Sequence, residues 1–167
     1  MSTYMSIHTS AYPSTEISKE DTCPYPYVDL HAHMQFEDFN DDREEIIQNM
    51  KDAHVIAINV GTTYATSIAG MLIAETYPQT LYATVGLHPV YADEHSSNTE
   101  QDMRSFSEML DQSQDNPKLV GIGECGMDFF RVKDDLGNED SHAIQEKVFE
   151  QQIQLSQTHN LPLMLHV

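Results

Sequence analysis

The chain has 167 residues, of which 40% are apolar and 21% charged, and acidic side chains outnumber basic ones by 27 to 8 for a formal charge of −19. That length suits one domain with a sizeable core. The charge excludes a nucleic-acid binder working through a broad basic face and argues against docking on anionic membranes. It leaves room for a metal centre that meets a phosphate locally, because a bound cation is the largest charge in its own pocket.

Residues 1–24 are rich in Ser and Thr, carry Pro13 and Pro24, and show no apolar period, so they read as a disordered N-terminal extension. They lack the apolar stretch of a secretory signal and the Arg-rich character of a transit peptide. Residues 25–167 form the ordered unit. Tyr27–His33 reads as a strand, and Asp42–Ala53 has helix spacing with Ile46, Ile47, Met50 and Ala53 on one face and Asp41 or Asp42 as the N-cap. Val55–Val60 is a continuous apolar strand stopped by Gly61. Ala65, Ile68, Ala69, Leu72 and Ile73 mark the next helix, closed by Pro78. Leu81–Leu87 is a third strand, and Met103, Phe106, Met109 and Leu110 face inward on a third helix. Leu119–Gly123 is a fourth strand, Ile144, Val148, Phe149 and Leu155 mark a fourth helix, and Leu161–His166 is a fifth strand.

Apolar strands alternating with amphipathic helices predict a parallel α/β sheet buried on both faces. Five strands and four helices are about the share of a (β/α)₈ TIM-type barrel, at roughly 31 residues per unit, that this length supplies. Cys23 and Cys125 lack a CxxC spacing and read as reduced thiols of a cytoplasmic protein. No stretch reaches the roughly 18 apolar residues of a membrane span.

Polar residues with chemical potential fall at the strand ends. His31 and His33 are two apart on a strand, so they share one face, ~6.6 Å apart along it. Glu124 follows the fourth strand in Gly121-Ile122-Gly123-Glu124, His88 ends the third before Pro89, and His166 ends the fifth. Taken singly, these are hydrogen-bonded rim histidines, a helix-capping acid, a turn histidine and a terminal residue. Together they come from the C-terminal ends of four strands, where barrel active sites are built. Imidazoles with a carboxylate suit zinc, manganese, iron or nickel better than calcium. His54 lies at the opposite end of its strand, and His95, His142 and His159 read as surface residues.

The motifs Asp29-x-His31-x-His33, Gly61-Thr62, Val85-Gly86-Leu87-His88-Pro89, Ile122-Gly123-Glu124-Cys125-Gly126-Met127-Asp128-Phe129 and Leu161-Pro162-Leu163-Met164-Leu165-His166 appear in order. As a set they resemble the TatD family of metal-dependent hydrolases, from Tyr27 to the last residue. The resemblance implies a (β/α)₈ barrel with two divalent ions (Mg, Mn or Zn). His31 and His33 would hold one ion, His166 the second, and Glu124, the expected catalytic carboxylate, would bridge both. His88 would bind substrate phosphate, and Asp128 would orient the loop or a ligand histidine. The family's sixth-strand histidine and late aspartate are not in the sequence, so the chain reads as part of a longer barrel and is expected to be a poor hydrolase alone.

The leading expectation is a metal-dependent deoxyribonuclease that hydrolyses phosphodiester bonds by a metal-activated water. DNA or another phosphodiester is its partner, with no membrane and no protein partner evident. The alternatives are a hydrolase of a small ester, amide or phosphotriester, which the barrel fold alone does not distinguish, and an inactive fragment.

Overall fold

The computed structural model describes residues 27–92, 99–130 and 138–166. The expectation for residues 1–24, like the placement of His95, lies outside them. The elements alternate as β1 (Tyr27–Ala32), α1 (Arg43–Asp52), β2 (Val55–Asn59), α2 (Tyr64–Thr76), β3 (Leu81–Val85), α3 (Thr99–Gln112), β4 (Leu119–Gly126), α4 (Asn138–His159) and β5 (Leu163–His166). The five strands form one sheet in sequential order, and every neighbouring pair is parallel. This is the expected five-strand arc, with the helices as its crossovers.

The core is built from Ile47 of α1, Leu81 and Val85 of β3, Phe106 and Leu110 of α3, Ile122 of β4 and Val148 of α4, all 2% exposed or less. Burial on both faces holds for the middle of the sheet. It fails at β1, where Tyr27 is 65%, Val28 49% and Leu30 60% exposed, because β1 pairs only with β2 among the described residues. Helix boundaries follow local chemistry. Asp42 is the N-cap of α1 but makes no side-chain capping bond, and Glu44 and Glu45 supply the negative charge that favours a helix start. Thr63 caps α2 reciprocally, its hydroxyl accepting from Thr66 N–H while the Thr66 hydroxyl accepts from Thr63 N–H.

The face of α2 differs from its apolar stripe. Ser67, Gly70, Met71 and Ala74 are buried, while Ile68 and Leu72 are 38% and 57% exposed. The face turned to the sheet is built mostly from small residues in close contact with it. A Cβ on Gly70 would sit 3.6 Å from Asn59 Cβ, and the Ser67 hydroxyl already fills the space beside Gly61.

Small residues also set the spacing of β3 and β4. A Cβ on Gly86 would lie 2.6 Å from Gly123 Cα, and Gly123 itself has φ +140°, a conformation open to glycine. The Thr84 hydroxyl donates to Gly123 O at 2.7 Å, tying the two strands just before Glu124.

Candidate metal centre

Glu124 lies inside β4 rather than after it, and it is 6% exposed. Its backbone N–H donates to Gly61 O at 2.6 Å, so the loop after β2 fixes where the carboxylate stands. Its two oxygens serve two histidine groups. Oε2 is 3.2 Å from His31 Nε2, and Oε1 is 2.6 Å from His166 Nδ1 and 3.6 Å from His88 Nε2. Glu124 thus belongs to two sets whose ligating atoms all lie within 4.8 Å of one another, His31–His33–Glu124 and His88–Glu124–His166. The structure thus brings His31, His33, Glu124 and His166 together at the strand ends, with His88 beside them.

Hydrogen-bond partners assign the imidazole protons. His33 Nδ1 donates to Val60 O at 2.9 Å, which leaves its Nε2 lone pair for a ligand. Burial, with the nearby His31 as a smaller contribution, lowers the His33 pKa despite the opposing effects of Val60 O and Glu124. The neutral, ligating form is therefore favoured. His166 stands between two carboxylates, its Nδ1 donating to Glu124 Oε1 at 2.6 Å and its Nε2 facing Asp128 Oδ2 at 3.4 Å. An ion at Nδ1 would take the place of that proton, with Asp128 placed to hold the remaining one on Nε2, and a set of imidazoles sharing one carboxylate fits a divalent ion.

His88 differs from the other two. Its Nδ1 accepts the Val90 N–H at 3.1 Å, so its proton sits on Nε2. It lies among the possible ligating atoms, but with its proton on Nε2, 3.1 Å from His166 Nδ1, it offers a hydrogen-bond donor there.

These groups open into a cleft of about 270 Å³ whose walls include Phe36 and Tyr91. Phe36 stacks on His33 with ring centres 4.6 Å apart and an interplanar angle of 9°. The sequence reading missed it, although an aromatic residue closing a turn back to His33 O was the available signal. Asp128 caps Phe130 N–H at 3.0 Å as well as facing His166. His159 is not the surface residue expected, since its side chain is only 9% exposed. His142 is half-buried against Phe129, with ring centres 4.4 Å apart. No helix among the described residues is long and apolar enough to cross a membrane.

A parallel α/β arc with histidines and a shared carboxylate at its C-terminal rim has the form of a metal-dependent hydrolase barrel. The family described as "TatD related DNase" matches residues 28–167, and the chain belongs to that family. The chain is 31% identical over 139 residues to the 3'-5' ssDNA/RNA exonuclease TatD of Pantoea vagans, covering 83% of this chain and 48% of that protein. It is 32% identical over 141 residues to the uncharacterized metal-dependent hydrolase YjjV of Escherichia coli, covering 84% and 50%. The crystal structure of Escherichia coli YjjV, a TatD homolog, superposes with a TM-score of 0.71 at 29% identity over 86% of this chain and 51% of that one. A TatD family hydrolase from Entamoeba histolytica shares the fold alone, with a TM-score of 0.71 at 18% identity. The chain therefore spans about half the length of the curated relatives it matches.

Proposed function

We propose that this rim is part of a two-ion centre (Mg²⁺, Mn²⁺ or Zn²⁺) that hydrolyses phosphodiester bonds in DNA. The observation that carries the reading is the single buried carboxylate of Glu124, with one oxygen toward His31 and the other toward His166. When bound, a divalent ion polarises a phosphoryl oxygen and acidifies a water molecule.

The chain's own residues supply the rest. His31, His33 and His166 present imidazole nitrogens, and Glu124 adds the negative charge that both ions need. His88 lines the cleft with its Nε2–H beside His166 Nδ1 and would supply a donor for a phosphate oxygen, and Asp128 would fix the orientation of His166. The strongly acidic surface favours single strands or ends that thread into the cleft over a duplex lying across the face. The free, buried thiol of Cys125 accords with a reducing cytoplasmic setting.

The test uses the 167-residue chain alone and the chain extended by the C-terminal half of YjjV, assayed on single-stranded DNA with Mg²⁺ or Mn²⁺. The extended protein is expected to release nucleotides and to lose that activity on Glu124→Ala, with little turnover by the short chain. Metal-independent turnover, or turnover indifferent to Glu124→Ala, would overturn the reading. The acidic charge also supports a second reading, a small ester or phosphotriester substrate. Faster turnover of p-nitrophenyl acetate than of bis-p-nitrophenyl phosphate by the same protein would select it.

A further inference from the structure

Helix α4 contributes no residue to the two ligand groups found among the described residues, yet it buries two glutamines. Gln145 and Gln152 are 2% and 1% exposed. They stand seven residues apart, two helical turns and about 10.5 Å along the axis, so they share a face. Each spends its amide on the backbone of one loop residue. Gln145 Oε1 accepts the Asp128 N–H at 2.8 Å and its Nε2 donates to Asp128 O at 3.1 Å. Gln152 Oε1 accepts the Leu87 N–H at 2.9 Å and its Nε2 donates to Leu87 O at 2.9 Å.

A pair of antiparallel bonds to one residue fixes its rotation as well as its position. The two residues so held adjoin the chemistry. Asp128 faces His166, and Leu87 immediately precedes His88. An apolar side chain at either glutamine would leave a buried N–H and C=O unpaired, a costly outcome. Packing alone is already provided on the same face by Val148, which is 2% exposed.

We infer that Gln145 and Gln152 are positioning residues with separate targets: Gln152 sets the His88 donor through Leu87, and Gln145 sets His166 through Asp128. The inference rests on the proposed function for the meaning of those two histidines, but the positions themselves can be read without it.

The experiment compares the 167-residue chain with Gln145→Leu, Gln152→Leu and the packing control Val148→Ala. Imidazole ¹H–¹⁵N spectra report each ring nitrogen. Co²⁺ titration reports ion affinity, and inorganic phosphate is the probe for the His88 donor in the Co²⁺-loaded chain. Gln145→Leu is expected to shift the His166 Nε2 signal and weaken the lower-affinity Co²⁺ step by about 10- to 100-fold. Gln152→Leu is expected to shift the His88 Nδ1 signal and weaken phosphate binding by about 10-fold, leaving Co²⁺ affinity unchanged. Val148→Ala lowers Tm and does neither. Should a leucine variant fail to fold, the corresponding Gln→Glu variant, which keeps the acceptor and loses the donor, is read for the same signal. Identical shifts in both glutamine variants, or their reproduction by Val148→Ala, would overturn the inference. A wild-type chain that takes up no Co²⁺ would count against the metal centre, while the ring spectra would still decide the positioning roles.

Discussion

Asp128 Oδ2 lies 3.4 Å from His166 Nε2, on the side of the ring away from Glu124, whose Oε1 is 2.6 Å from Nδ1. The ring is held between two carboxylates, and in the proposed centre they would have different tasks, Asp128 keeping a proton on Nε2 and Glu124 sharing the ion with Nδ1. Asp128→Ala is expected to weaken Mn²⁺ or Co²⁺ binding about 10- to 100-fold, measured by titration calorimetry. Unchanged affinity would show that Asp128 acts only as the cap of Phe130 N–H.

Glu124→Gln keeps the shape of the side chain and removes the charge that both histidine groups share. Ion uptake is expected to fall by more than about 100-fold, beyond the usual loss from a supporting residue, and to fall for both ions at once. Circular dichroism checks that the fold survives. Retention of one tight ion would mean that the His31–His33 pair binds independently of Glu124.

The lowered pKa of His33, caused chiefly by burial, gives a pH dependence of definite sign. The unfolded chain binds the His33 proton at a higher pH than the folded chain does. Stability therefore rises with pH through this interval. The His33 contribution is fully present above the unfolded value near 6.5 and is lost as pH falls through the lower folded value. Urea midpoints of wild type and His33→Gln across that range are expected to converge at neutral pH relative to their acid behaviour, the wild type losing more on acidification. Parallel profiles would place the shift elsewhere.

Burial, and then the charge of Glu124, pushes the Cys125 thiol up to about 12. At pH 8 it is almost entirely protonated, and its Sγ is 3.5 Å from Met164 O. Iodoacetamide labelling followed by peptide mass spectrometry is expected to leave Cys125 unmodified in the folded chain and to modify it in urea. Rapid native labelling would contradict this burial.

Gly86→Ala places a methyl 2.6 Å from Gly123 Cα. The strands must separate beside Glu124, at a cost typical of overpacking, about 1–3 kcal/mol. Denaturant unfolding checks the stability loss, and ion affinity is expected to fall with it. Wild-type stability would show that the β3–β4 gap gives way freely.

Much of this centre was legible in the strand-end residues. His31 and His33 share a face by the two-residue period, and parallel strands point their C-terminal ends at one mouth, so convergence on Glu124 followed from topology. The edge of β4 was harder to read. Glycines at Gly123 and Gly126 resemble a strand stop, yet they continue the strand because β5 approaches their backbone too closely for side chains. The inward face of α4 was obscured for a different reason. Apolar periodicity selects Ile144, Val148, Phe149 and Leu155, and Val148 is indeed buried, but the other buried residues of the face are Ser141, Gln145 and Gln152. Polar side chains enter a core when loop backbone needs partners, and hydrophobic patterning is blind to that demand. Their spacing of four, three and four was the visible trace.

The exposure of β1 bears on how long an ion stays. Amides at a one-sided strand exchange through local fraying, with opening free energies far below that of the whole domain. Glu124 sits on β4, which has neighbours on both sides. His31 rides on β1, which has one neighbour among the described residues, and His33 directly follows it. Residence time of an ion at the His31–His33 position is therefore expected to follow the opening of β1, read as hydrogen exchange of residues 27–32, more closely than the unfolding rate of the core.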